Sequence, residues 1–396
     1  MGHYITEINK SGNIAVDDTI LVKGVPATAG SRMLEGFKPL FSAEAVEKLE
    51  AAGYSIAGKT NVGEFGLDLA GETSYFEAVT ENGCIKGAAA ELVAKGEVKA
   101  AIGVDLNGAP RRAAALSGIS FIKPTYGTVS RYGIISCAAS GEQVGVYAAN
   151  AADAKEILGV IAGNDSKDGT SLPEKKYEYS LDEDVSAMKI CIVKELYDKA
   201  SDGIKAEIDA YADSLKKLGA KVETVSLDCT EQAQTAWQIL MAAETCNNVS
   251  RFDGVKYGYR TPEYKNIDEL YVKSRTEGFG FLTKSTIIYG SDVLSKGRYE
   301  SCYDKALRIR RVICTKVREL LASYDAILTP VCSKSEYKPY DALDAFEKVY
   351  EESVFTAIPS ITGMPAMAVK GVQLIADSFK ESVLLSIAHS VERTEA

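Results

Sequence analysis

Residues 103–133 read GVDLNGAPRRAAALSGISFIKPTYGTVSRYG, and the fold turns on how this stretch is read. "VKAAIGVD" runs into it as a buried strand. The polar turn Asp105-Leu106-Asn107-Gly108 ends that strand, and Pro110 to Leu116 suits a helix with proline in its first turn. "GISFIKP" then reads as a second strand. A strand, a tight turn and a helix start together present one side chain at the mouth of a sheet. The residue at the presenting position is Ala109, a methyl group.

The same alternation extends in both directions. Upstream, Ser42 to Gly53 reads as a helix with a serine N-cap, apolar Ala45, Val46, Leu49 and Ala52, and a glycine stop. "YSIAGKT" follows as a short strand, and Gly87 to Lys95 as an alanine-rich helix. Downstream, Ala151 to Ala162 is an amphipathic helix, and 163–187 is a polar surface excursion. "MKICIVKE", Lys205 to Leu218 and "AKVETVSL" form a β-α-β unit. Segment 231–322 is a helical cover ending in a long helix from Gly297 to Ala322. "YDAILTP", "MPAMAVKGVQLIA" and a helix from Lys380 to Glu392 complete the chain. Strands alternating with helices predict an α/β fold: one domain over 1–396 whose central sheet is mixed, mostly parallel and covered on both faces.

Composition narrows the function. The 396 residues are 46% hydrophobic and 25% charged, which is ordinary for a globular protein. With 45 basic against 55 acidic residues, net −10, the balance weighs against direct nucleic-acid binding or an acidic membrane surface. The eight cysteines are scattered without a C-x-x-C pair and read as reduced, mostly buried small hydrophobes. Nothing resembles a signal peptide or a run of about 18 apolar residues, so a cytoplasmic location is expected. The only histidines, His3 and His389, lie at the two ends of the chain. Histidine-based nucleophilic catalysis and zinc chemistry are therefore poor readings, and neither a metal nor a cofactor is expected.

Several stretches together carry a resemblance. "IAGKTNVGEF", the region from Gly103 to Ser140, "YDAILTP" and "GMPAMAVKGVQLIADSFKESVLL" resemble the amidase signature family. Within it, "KPTYGTVSRYG" and the "RML" after "TAGS" are most similar to the branch formed by the A subunits of glutamyl-tRNA(Gln)/aspartyl-tRNA(Asn) amidotransferases. The resemblance implies an α/β/α sandwich. It also implies a serine nucleophile, a second serine with a cis peptide bond, and a lysine base whose pKa is lowered by burial.

Laid on that pattern, the sequence departs at every catalytic position. Asp17 stands where the family has lysine, Ile85 where it has the second serine, with Cys84 beside it, and Ala109 where it has the nucleophile. The segment implied to grip a substrate carboxylate carries Ser285 and Thr286 in place of arginines, and the acidic anchor position is Ser353. Several residues between Ser74 and Gly87, the N-terminal helical region and a loop in the last strand pair are shorter or missing against the pattern. The chain therefore reads as a truncated, degenerate paralogue.

The residues of a remodelled pocket would be Asp17, Cys84, Ile85, Lys86, Asp105, Asn107, Gly108, Ala109 and Arg111. Cys84 beside Lys86 is either a replacement nucleophile or a small buried residue. Asp17, Asp18 and Asp105 either gather in the pocket, or Asp105 caps its turn while Asp17 pairs with Lys86 or Arg111. Arg111 and Arg112 bind an anion at a helix start or form structural ion pairs. "KYGYRTPEYKNIDELY", Lys256 to Tyr271, is a partner surface or a solvated hairpin. Ile85 and Leu106 are the side chains that would plug the pocket. The expected function is a pseudo-amidase that binds a B- or C-type amidotransferase subunit, another protein or a small ligand. The alternative is an amide-related enzyme with chemistry repurposed to Cys84 or to Asp17 and Asp105.

Overall fold

The computed structural model describes residues 2–395. Its strands, in chain order, are β1 (Tyr4–Glu7), β2 (Ile14–Asp17), β3 (Ile56–Thr60), β4 (Thr80–Glu81), β5 (Cys84–Ile85), β6 (Ala100–Asp105), β7 (Ser120–Lys123), β8 (Gln143–Ala148), β9 (Lys189–Val193), β10 (Lys221–Val225), β11 (Ala326–Pro330), β12 (Ala366–Val369) and β13 (Val372–Ile375). Eleven of them form one sheet in the order β1-β3-β2-β6-β8-β7-β12-β13-β11-β9-β10, while β4 and β5 make a separate ribbon.

The central mixed sheet with helices on both faces is as the sequence predicts, but the balance of strand directions differs. Parallel pairs lie toward the two flanks, β3–β2–β6 and β11–β9–β10. The middle, from β6 through β8, β7, β12 and β13 to β11, is antiparallel throughout. The cause is two inserted strands. Helix Ala109–Leu116 carries the chain from β6 to β7, as a β-α-β crossover should, but β8 then returns between them. Likewise β13 turns back from β12 through Lys370-Gly371 and separates it from β11. Alternation of strands with helices gives no sign of β8, because β8 follows a loop.

Because both faces are covered, successive strand residues enter different cores. On β2, Ala15 packs into one cluster, while Ile14 and Val16 pack into the other. Cys191 and Val193 alternate in the same way with Ile190 and Ile192 on β9. One face is covered by helices Glu44–Ala51, Ala151–Ile161, Asp202–Lys217 and Glu381–Glu395. Helices Ala88–Ala94, Ala109–Leu116, Thr230–Asn248 and Lys305–Leu321 cover the other.

Two local expectations are corrected. The helix after Ser42 begins at Glu44 with Ala43 at its N-cap, and the Ser42 hydroxyl instead accepts the Lys23 N–H at 3.0 Å. The helix expected from Gly297 starts as a wider π-type turn, Tyr299–Asp304, before Lys305–Leu321 continues in α geometry. No helix among the described residues is long and apolar enough to cross a membrane.

Candidate functional site

The carboxyl ends of the parallel pair β2 and β6 form the mouth of the sheet, the usual place for a ligand in an open α/β fold. Asp17 ends β2 and sits opposite Thr60 in the ladder, and the Thr60 hydroxyl donates to its carboxylate at 2.9 Å. The Val104 N–H also donates to Asp17. The carboxylate lies flat on β6 at Gly103, where a Cβ would come within 2.3 Å of Asp17 Oδ2. Burial pushes the Asp17 carboxyl up to about 7, with the Thr60 hydroxyl and the Lys59 charge opposing the rise.

β6 ends at Asp105, and the turn beyond it is held by charge. Asp105 accepts the Gly108 N–H at 3.1 Å and pairs with Arg111, whose Nε donates at 2.6 Å. The remaining Arg111 donors go to Gln373 at 2.6 Å, to Ser360 at 3.0 Å and to the Thr356 carbonyl. Gly108 takes φ +85°, and a Cβ there would lie 2.4 Å from Thr356 Cγ2, so the turn needs glycine twice over. Ala109 follows as the first residue of its helix.

A cavity of about 30 Å³ lies between these elements. Its lining includes Asp17, Thr19, Asp68, Ala88, Ala109 and Tyr147. That volume is room for one water molecule. A larger groove, about 950 Å³, is lined elsewhere by Leu34, Phe37, Ile135, Arg251, Phe252 and Tyr257.

Of the residues expected to form a remodelled pocket, only Asp17 and Ala109 line the cavity. Cys84 and Ile85 form strand β5 of the ribbon. The Ile85 N–H donates to the Tyr337 carbonyl at 2.7 Å, and its side chain joins the core. Cys84 is buried with its thiol 3.6 Å from Glu336. Burial and the Glu336 charge push that thiol up, the opposite of an activated thiolate. Lys86 bonds the Leu116 carbonyl at 3.0 Å and pairs with Glu91. Asp105 and Arg111 pair with each other and place their remaining bonds on Gly108, Gln373, Ser360 and Thr356, and Gly108 lies against Thr356. Asn107 accepts from the Trp237 indole N–H at 3.1 Å. The two partners expected for Asp17, which are Lys86 and Arg111, are therefore both occupied elsewhere. Leu106 is buried in the same core as Ile85 and does not plug the cavity.

Nor do the positions expected from the resemblance to anchor a substrate converge here. Thr286 donates back to the Leu282 carbonyl of its own helix at 2.9 Å, and Ser353 to the Tyr350 carbonyl at 2.7 Å. Ser285 is half-buried on the same helix as Thr286. None of the three lines the cavity.

Comparison with known proteins fits this frame. The family model described as Amidase matches residues 13–385. The chain is a member of the amidase family. Among its relatives, the A subunit of the glutamyl-tRNA(Gln) amidotransferase of Agathobacter rectalis is 40% identical, over 96% of this chain and 80% of that protein. Its counterpart of the same name from Latilactobacillus sakei is 38% identical, over 96% and 82%. The solved structure of the Thermotoga maritima counterpart superposes with a TM-score of 0.80 at 30% identity, covering 96% of this chain and 82% of that one.

Sequence reasoning missed four residues at this candidate site. Lys59 is fully buried and pairs with Asp18 at 3.2 Å, and burial holds its amine below the usual lysine range. Asp18 also accepts the Thr28 N–H at 2.7 Å, so the pair ties three segments together. Asp68 accepts the Thr73 N–H at 2.8 Å and hydroxyl at 2.9 Å, and burial with the Glu72 charge pushes it up to about 8. Thr19 and Tyr147 complete the lining. The available signal was the density of glycines around Asp68, at 63, 66 and 71, which marks close backbone approach.

Proposed function

We propose that this amidase-family chain does not hydrolyse amides by the serine-serine-lysine route and acts by binding a protein partner. The carrying observation is the lining of the cavity at β2 and β6: no serine, cysteine, lysine or histidine side chain is part of it, and Ala109 stands at the helix start. Losing the nucleophile alone lowers the turnover of a serine hydrolase about a millionfold. The volume argues further. Ligand pockets run from about 300 Å³ upward, so a cavity of about 30 Å³ excludes a glutamine-sized substrate. That favours a partner of the B- or C-type over a small organic ligand. The relatives carry the name of one component of a larger amidotransferase, which supports the same choice. We read the whole chain as one unit, because both cores are built on one sheet.

Ammonia release from glutamine, asparagine and simple amides tests the reading, with Cys84→Ala run beside the parent and an active amidase as control. The expected result is no release above the buffer blank. Release that vanishes in Cys84→Ala would make the chain a cysteine amidase. Release that survives in it would place an unrecognised nucleophile in the fold. Either result overturns the proposal.

A further inference from the structure

The cavity at β2 and β6 has features that its lost chemistry does not explain. Two carboxyl groups line it, Asp17 from the end of β2 and Asp68 from the loop after β3. Both are accommodated by missing side chains: a Cβ on Gly63 would stand 1.8 Å from Asp68 Oδ2, and one on Gly103 would stand 2.3 Å from Asp17 Oδ2. A third group points to a ligand independently. Thr19 lines the same cavity, is 5% exposed, and its hydroxyl oxygen is buried with no hydrogen-bond partner among the described residues. An orphan hydroxyl in a space that holds one water-sized particle is a donor atom waiting for a ligand.

The charge balance says which ligand. No cationic side chain is part of the lining. The nearby cations are turned away, Lys59 onto Asp18 and Arg111 onto Asp105. Asp18, Lys59, Asp105, Glu72, Tyr147 and Tyr340 are the titratable groups that act on the two acids or on the tyrosine of the lining. The donor set is all oxygen, which suits a hard cation. Among the described residues no group of three histidine, cysteine or acidic side chains is placed to hold a metal ion, so a divalent ion is poorly served.

We propose that this cavity is a site for one monovalent cation of ammonium or potassium size, held by the Asp17 and Asp68 carboxylates and the Thr19 hydroxyl. The site goes beyond the proposed function and stands whether or not the chain hydrolyses amides. Burial raises both carboxyls, so the empty site is nearly neutral at low pH and gains charge, and affinity for a cation, as pH rises. A cation that binds only the folded state stabilises it by mass action.

Thermal melting of the full chain in chloride salts of ammonium, potassium, sodium and choline, at equal ionic strength and about pH 8, tests the site. The expected result is a saturable rise of roughly 2–5 °C with ammonium or potassium over choline. The rise should shrink at about pH 5 and vanish in Asp17→Asn. The ion with the lower half-saturation concentration identifies the preferred occupant. Ala109→Leu, which fills the cavity from its apolar side, should abolish the response while leaving both acids in place. Should that variant fail to fold, Thr19→Val removes the hydroxyl at nearly constant volume and should weaken the response several-fold. Identical melting in all four salts overturns the proposal and leaves the cavity to a water. A response that persists in Ala109→Leu or Asp17→Asn also overturns it, by placing the cation elsewhere.

Discussion

Replacing Asp17 by asparagine should flatten part of the protein's pH dependence of stability. The carboxyl is raised from 3.8 to about 7 in the fold, with desolvation as the largest cause. The folded state therefore keeps a proton that the unfolded chain releases above about pH 4. In that window the unfolded state binds fewer protons, so stability falls as pH rises from about 4 to about 7 and is level beyond. At about 1.4 kcal/mol per unit, the ceiling is about 4 kcal/mol in all and about 3 kcal/mol between pH 5 and pH 8. Asparagine cannot titrate, and its amide can face the rotatable Thr60 hydroxyl while its carbonyl accepts the Val104 N–H. Lys123, lowered to about 7, titrates in both proteins and cancels in the difference, while Asp68, raised to about 8, shares the cavity, so its coupling to Asp17 is part of what the difference reads. Urea midpoints of the parent and Asp17→Asn, measured in choline buffers at about pH 5 and pH 8, read the effect directly. The variant should gain on the parent by up to about 3 kcal/mol between the two. A difference that stays constant across that range would show Asp17 to be solvated, and the burial argument would fail.

Other outcomes are equally concrete. Gly108→Ala places a Cβ 2.4 Å from Thr356 Cγ2 at a φ of +85°, and should cost roughly 2 kcal/mol or more in urea unfolding. Cys84 should react with iodoacetamide at neutral pH more slowly than the half-buried Cys302, as read by mass spectrometry of digests, because it is buried and its thiol is bonded to Glu336. The triple variant Asp17→Lys, Ile85→Ser, Ala109→Ser should release no ammonia from glutamine, since position 85 is held in the ribbon by its bond to Tyr337 and faces the core. Measurable release from that variant would show that the ribbon rearranges. Removing Lys59 by Lys59→Met leaves Asp18 buried and unpaired, and should destabilise by about 3–5 kcal/mol in the same unfolding assay.

What the sequence by itself determined is local or periodic. The β6-turn-helix-β7 unit, the flanking helices and the two-sided burial of the strands follow from spacing, glycine and proline placement and apolar runs, because those signals act within a few residues. The residue types at positions 17, 85 and 109, aspartate, isoleucine and alanine, were also plain, since a residue type needs no coordinates to be read. The tertiary structure decided everything that depends on what lies opposite. β8 returns antiparallel between β6 and β7, and β13 pairs antiparallel with β11, in a sheet that helix counting makes parallel, because those pairings join separated segments and have no local signature. Cys84, Ile85 and Lys86 leave the mouth of the sheet because a ribbon and the Tyr337 carbonyl hold them. Asp105 and Arg111 neutralise each other, while Asp17 meets Asp68 and Thr19 across a water-sized gap. Charge in a folded protein acts over a few ångströms of low-dielectric space, and only the tertiary structure brings those residues within that reach.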